Sequence, residues 1–106
     1  MIPAGFDEVL HTPNRLRICV VLSEVERAEF GLIRDTIGVA DSVLSKQLRV
    51  LVEAGYIELD KPTGKGRPPR TWVSLTRTGR RALEQHLVAL QEMVAVSRAA
   101  AARWAT

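Results

Sequence analysis

Residues 41–70 read DSVLSKQLRVLVEAG (41–55), YIELD (56–60) and KPTGKGRPPR (61–70). Leu44, Leu48, Leu51 and Val52 recur at i, i+4, i+7 and i+8, which predicts a helix from Asp41 to Ala54 with that stripe on a core. Gly55 stops it. Ile57 and Leu59 then alternate with Glu58 and Asp60, the period of a half-buried strand, and Val73 and Leu75 alternate with Trp72 and Ser74 to give its partner. Between the strands Gly64 and Gly66 permit tight reversals while Pro68 and Pro69 hold one arm extended, so a long hairpin tip is expected.

Upstream, Phe30, Ile33 and Ile37 fall at i, i+3 and i+7 and predict a short helix closed by Gly38. Val39 and Ala40 make the turn, and Asp41 or Ser42 is the expected cap of the next helix. Two helices about a tight glycine turn form a helix-turn-helix signature over about 30–54. Further back, Thr12 followed by Pro13 is a start signal, a capping hydroxyl and then a residue with preset φ. The helix it opens should run to about Ser23, with Leu16, Cys19, Val20 and Ser23 on one face, Ile18 and Leu22 widening it, and Arg15 and Arg17 near water. GFDEVLH (5–11) reads as a short first helix striped by Phe6, Val9 and Leu10, and VERAE (25–29) as an acidic loop.

Downstream, Thr76 should cap a last helix from Arg77 to Trp104. Leu83, Leu87, Leu90, Val94, Ser97, Ala101 and Trp104 follow alternating steps of 4 and 3, the spacing of a coiled-coil seam. Such a helix is about 42 Å long at 1.5 Å per residue, and a domain of this size has a radius of gyration of about 13 Å, so the helix should overhang it. An overhanging apolar seam calls for a partner. With the first helix it is expected to build a two-fold homodimer through Phe6, Leu83, Leu87, Leu90 and Val94.

The chain has 106 residues, enough for a single domain spanning 1–106, mainly α with a small β-hairpin. Its formal charge is +3, and the basic residues are unevenly spread: Lys61, Lys65, Arg67, Arg70, Arg77, Arg80 and Arg81 lie in a run without acidic residues and make seven of the fifteen. One cysteine, Cys19, precludes an internal disulfide, and no signal-like or membrane-spanning run is seen, which leads to the expectation of a cytoplasmic protein that needs no membrane. His11 and His86 lie in separate elements with no nucleophile motif, phosphate loop or metal-ligand spacing, so no enzyme, cofactor or metal is expected.

On the 41–54 helix, the face opposite Leu48 carries Ser42, Val43, Lys46, Val50 and Glu53, flanked by Ser45, Gln47 and Arg49. Its first half is small, polar or basic, as entry into a groove about 12 Å wide requires. Lys46 and Arg49 suit guanine acceptors or phosphates, Gln47 suits adenine, and the Val43 methyls suit a thymine methyl. Lys65, Arg67 and Arg70 on the hairpin add cations suited to phosphates or a narrow minor groove.

The stretches RLRICVVL, EFGLIRDTIGVADSVLSKQLRVLVEAGYIEL and RTWVSLTRTGRRAL, most specifically LSKQLRVLVEAGYIEL followed by SLTRTG, make the chain resemble small winged-helix transcription regulators of the MarR/ArsR-like group. The resemblance spans about 7–90. It implies a winged helix-turn-helix with its wing over about 56–75 and a C-terminal dimerisation helix over about 77–104. It also implies recognition-helix contacts at Ser42, Val43, Ser45, Lys46, Gln47 and Arg49, with Arg67 near the wing tip. Lys65 stands where many MarR wings have the Asp of an Asp-x-Arg element, and the paired cysteines or His/Asp clusters of ArsR metal sensors are absent. The expected function is a homodimeric, sequence-specific regulator of double-stranded DNA, a repressor since nothing resembles an activation domain. Its operator should be near-palindromic. The alternative is a winged-helix protein-interaction module for an acidic partner, and a small-molecule effector between dimer arms and DNA-binding lobes is left open.

Overall fold

A computed structural model describes residues 1–62 and 70–105. Among them are helices α1 (Pro13–Ser23), α2 (Phe30–Ile37), α3 (Asp41–Glu53) and α4 (Arg77–Trp104), and strands β1 (Ala28–Glu29), β2 (Ile57–Asp60) and β3 (Trp72–Leu75). The expected mainly α fold with a hairpin is what forms, and the pair of helices about Gly38 stands where the sequence places it. Gly38 has φ 70° and donates its N–H to Arg34 O, so the residue type that tolerates a left-handed turn occupies one.

The sheet is antiparallel in the order β1-β3-β2. Leu59 pairs with Val73 and Ile57 with Leu75, while Ala28 on the other side also faces Val73. VERAE, expected as a loop, thus ends in a strand: β1 is two residues long, too short to show a period. Leu10, Ile18, Leu22, Ile33, Leu44, Leu51 and Val73 are fully buried and tie α1, α2, α3 and the sheet into one core. Two apolar residues expected inward, Val20 and Val52, are exposed, as is Leu59.

Residues 5–11 do not form the expected first helix. Their backbone donors go elsewhere: Asp7 N–H to His86 Nδ1 at 2.9 Å, and Val9 N–H and Leu10 N–H to Asp7 Oδ1 at 2.9 and 3.3 Å. An aspartate bonding its own downstream backbone competes with helix, and one turn is too short to overcome that. Thr12 is the N-cap of α1 but makes no cap bond; its hydroxyl is buried without a partner among the described residues. The N-cap of α3 is Ala40 rather than Asp41 or Ser42, and Asp41 instead bonds Arg34.

Thr76 does cap α4, accepting from Gly79 N–H at 2.9 Å while donating to Gly55 O at 2.7 Å. Thr76 N–H also donates to Tyr56 O. This joins the start of α4 to the end of α3 with no spare room, since a Cβ on Gly79 would lie 2.1 Å from Tyr56 O. From that joint α4 runs out past the domain. The molecule measures 69 × 26 × 21 Å with a radius of gyration of 17.1 Å, against about 13 Å for a compact chain of this length.

Candidate nucleic-acid interface

α3 is held at both ends before any ligand is considered. At its start Arg34 of α2 bridges Asp35 and Asp41, each at 2.9 Å, and these carboxylates hold the guanidinium charged. At its end Tyr56 N–H bonds Leu51 O and Gly55 N–H bonds Val52 O, with Gly55 at φ 79°, the paired closure that satisfies the last carbonyls of a helix. Leu44, Leu48 and Leu51 anchor the inner face. Its outer face is fixed in direction as a result.

Ser42, Val43, Ser45, Lys46 and Arg49 are all exposed on that outer face. Gln47 differs. It is half-buried at the rim, and its Oε1 accepts from Arg15 Nη1 at 2.8 Å. Arg15, read from the sequence as a residue near water, is itself half-buried and also donates from Nε to Val9 O. Nothing in the period of α1 distinguishes Arg15 from Arg17, which is exposed and bonds Asn14 one turn earlier.

Beside α3 an open groove of about 640 Å³ runs to the sheet. Ser45, Arg49 and Val52 border it on one side, Leu59, Lys61 and Thr71 on the other. Arg49 of the helix and Lys61 just past β2 therefore face one trough, which Glu53 also lines. Arg70 is exposed on the returning arm, 4.0 Å from Glu29, a pair too loose and wet to neutralise it. Lys65 and Arg67 lie outside the described residues. Arg80, counted in the basic run, is turned away and donates to Ser23 O at the end of α1.

The residues expected to join copies of the chain are divided. Leu83 is 3% exposed and belongs to the chain's own core, so it has little surface to offer a partner. Phe6 is half-buried against the rings of His11 and His86, at 4.7 and 5.0 Å. Leu90 is half-buried, whereas Leu87 and Val94 are exposed. His86 is fully buried with Nε2 unpaired among the described residues, and its pKa is lowered by that burial and then by His11, with Asp7 opposing. Burial and then Asp7 push the Cys19 thiol up to about 12, so it stays protonated at neutral pH.

With this geometry in place the comparisons with known proteins fall into line. A family model described as a winged helix DNA-binding domain matches residues 14–94. The chain belongs to the winged-helix DNA-binding domain family. An uncharacterized protein of Methanocaldococcus jannaschii is 26% identical over 86 residues, covering 81% of this chain and 92% of that one. The structure of a transcriptional regulator homologue from Pyrococcus horikoshii superposes with a TM-score of 0.77 at 26% identity, covering 83% of this winged-helix chain and 86% of the other. A mutant MarR from E. coli, solved with operator DNA, shares the fold with a TM-score of 0.63 at 19% identity, over 74% of this chain and 55% of that one. Family and fold are those of DNA-binding transcriptional regulators.

Proposed function

We propose that this winged-helix protein is a homodimeric transcription repressor that recognises a near-palindromic operator. The observation that carries the reading is the exposed face of Ser42, Val43, Ser45, Lys46 and Arg49 on a helix clamped at both ends, beside a groove that Lys61 closes from the sheet. A rigid helix with small and basic residues over its first turns suits the major groove, and its N-terminal dipole attracts phosphate. Lys65, Arg67 and Arg70 on the wing add phosphate or minor-groove contacts, and the MarR neighbour solved with operator DNA supports the same use of the fold.

Dimerisation runs along α4, through Leu87, Leu90 and Val94, with Phe6 at its margin. Two copies so joined present two α3 helices to successive major grooves, about 34 Å apart on one face of a duplex.

The test is selection of bound sequences from a random duplex pool, followed by affinity against salt. A two-fold symmetric site, with affinity falling steeply between about 50 and 200 mM salt, is expected. Absence of any selected sequence, or a salt slope near zero, overturns the reading. Lys46→Ala should alter the selected half-site, whereas Arg70→Ala should weaken all sites alike.

A further inference from the structure

Resting on the DNA-reading function proposed above, we infer that Arg15 of α1 is a positioning residue that makes Gln47 a hydrogen-bond donor toward an acceptor-bearing base edge, and thereby steers it away from adenine. A glutamine side chain is ambiguous by nature, with an oxygen that accepts and an NH₂ that donates, and it can rotate to suit either partner. Here the ambiguity is removed. A guanidinium has five N–H donors and no acceptor, so the group that Gln47 turns to Arg15 must be its oxygen, and the 2.8 Å Nη1···Oε1 contact fixes the amide.

Arg15 is in turn fixed from its other side. Its Nε donates to Val9 O, and the segment carrying Val9 is pinned by the Asp7 carboxylate and by the Asp7 N–H bond to His86. A charge-assisted bond from a guanidinium held at two points is a strong constraint on a neutral amide. The amide nitrogen is left over. Among the described residues it bonds nothing and is not one of the buried unpartnered polar atoms, which are Thr12 Oγ1 and His86 Nε2, so the Gln47 NH₂ is left to donate outward from a half-buried side chain.

Where that NH₂ faces follows from the helix. At about 100° per residue Gln47 lies next to Val43 on the wheel, on the rim between the Lys46 face and the Leu44 face. Adenine recognition by glutamine needs both ends of the amide: the oxygen accepts from N6 and the NH₂ donates to N7. Here that oxygen is shared with a cation, and the N6 hydrogens would approach the same positive charge. Guanine O6 and N7, or thymine O4, meet the free NH₂ without either conflict. The specificity of one half-site position therefore depends on a residue of α1, outside the recognition helix.

Selection from a random duplex pool is run with the wild-type chain, Gln47→Ala, Arg15→Ala and Arg15→Lys, each checked for native circular dichroism. The position whose preference Gln47→Ala flattens is the one Gln47 reads. The wild-type chain should select guanine or thymine there. Arg15→Ala, which frees the amide to rotate, should move the preference toward adenine by about tenfold, within what one bidentate base contact supplies. Arg15→Lys, a side chain that also donates only, should restore the wild-type choice.

Adenine at that position in the wild-type site overturns the inference even if Arg15→Ala does not fold. An unchanged preference in a folded Arg15→Ala variant overturns it as well, as does a Gln47→Ala variant that alters no position. A wild-type chain that selects no sequence defeats the DNA-binding reading itself, a different and separable failure.

Discussion

The two halves of α4 live in different surroundings. From Arg77 to Leu90 the helix buries Gly79, Leu83, His86 and Ala89 against the rest of the chain; from Gln91 to Trp104 it buries no residue fully, only Met93 and Ala100 being half-covered. Val94 is 48% exposed and Trp104 82%. One continuous 28-residue helix thus carries two kinds of apolar face. The first half is settled within one chain, and the second, on the proposal above, is settled between two. A stretch of about 14 residues packed on little else is marginal as a helix in water, so the outer half needs that second chain more than the inner half does.

The sharpest way to break the contrast is at its inner end. Gly79→Ala sets a methyl 2.1 Å from Tyr56 O, a backbone atom held by its bond to Thr76 N–H, so neither side has room to give. The expected loss is about 3 kcal/mol or more, enough to unfold much of a small domain, measured by urea denaturation. The opposite exchange in the outer half, Ala99→Gly, should cost about 1 kcal/mol, the helix-propensity difference alone. Equal costs would mean that the two halves do not differ in packing.

Next in size is a pair of leucine and valine changes. Leu83→Ala opens a cavity in the core of one chain and should cost about 2–5 kcal/mol. Val94→Glu should convert a dimer to a monomer in sedimentation equilibrium and lose at most the helical circular dichroism of the outer half, the core staying folded, because a charge at a helix seam has no water once the partner is docked. A wild-type chain already monomeric at high concentration removes the dimer from the proposal and leaves the outer half unexplained.

His86 supplies a smaller, pH-dependent effect confined to the inner half. Its Nδ1 accepts from Asp7 N–H, which requires the neutral ring, and burial lowers its pKa below the ordinary 6.5. The unfolded chain then takes up a proton at a pH where the folded chain does not, so unfolding gains protons and stability falls as pH falls. The contribution is complete above 6.5 and declines below it until the folded ring also titrates, at a slope of at most about tenfold in the unfolding constant per pH unit. Denaturation curves between about pH 7.5 and 4.5 should show this slope in the wild-type chain and a shallower one in His86→Gln.

These same residues mark what could be read in advance. The bounds of α1, α2 and α4, the Gly38 turn and the Thr76 cap were legible because each rests on a local signal. The seam counted as Leu83, Leu87, Leu90 and Val94 was legible as a period but not as an assignment. A second stripe, Gly79, Leu83, His86 and Ala89, shares Leu83 with it, and which stripe faces inward depends on Asp7 and Tyr56, far away in sequence. Residues 5–11 misled for a related reason: their apolar period is helical, but an N–H bond to a histidine 79 positions on overrides it. The Arg15–Gln47 bond joins residues 32 positions apart, and no pattern in either helix announces it. The outward face of α3 needed no such partner, so Ser42, Val43, Ser45, Lys46 and Arg49 could be named from α3 alone.

The mildest probe of the contrast uses the one native thiol. Cys19 is fully buried on α1, which packs on the inner half of α4, and its thiol is pushed up to about 12, first by burial and then by Asp7. Only the thiolate reacts at an appreciable rate, so at pH 8 the native chain should not label with an aromatic disulfide reagent until it unfolds. A cysteine placed at Val96, which is 64% exposed, should label at the rate of a free thiol in a monomer. In a dimer the same thiol slows only if Val96 faces the partner. Its rate against protein concentration therefore reports which side of the outer helix is covered, and a Cys19 that labels as fast as Cys at Val96 would show that the inner half is no more closed than the outer.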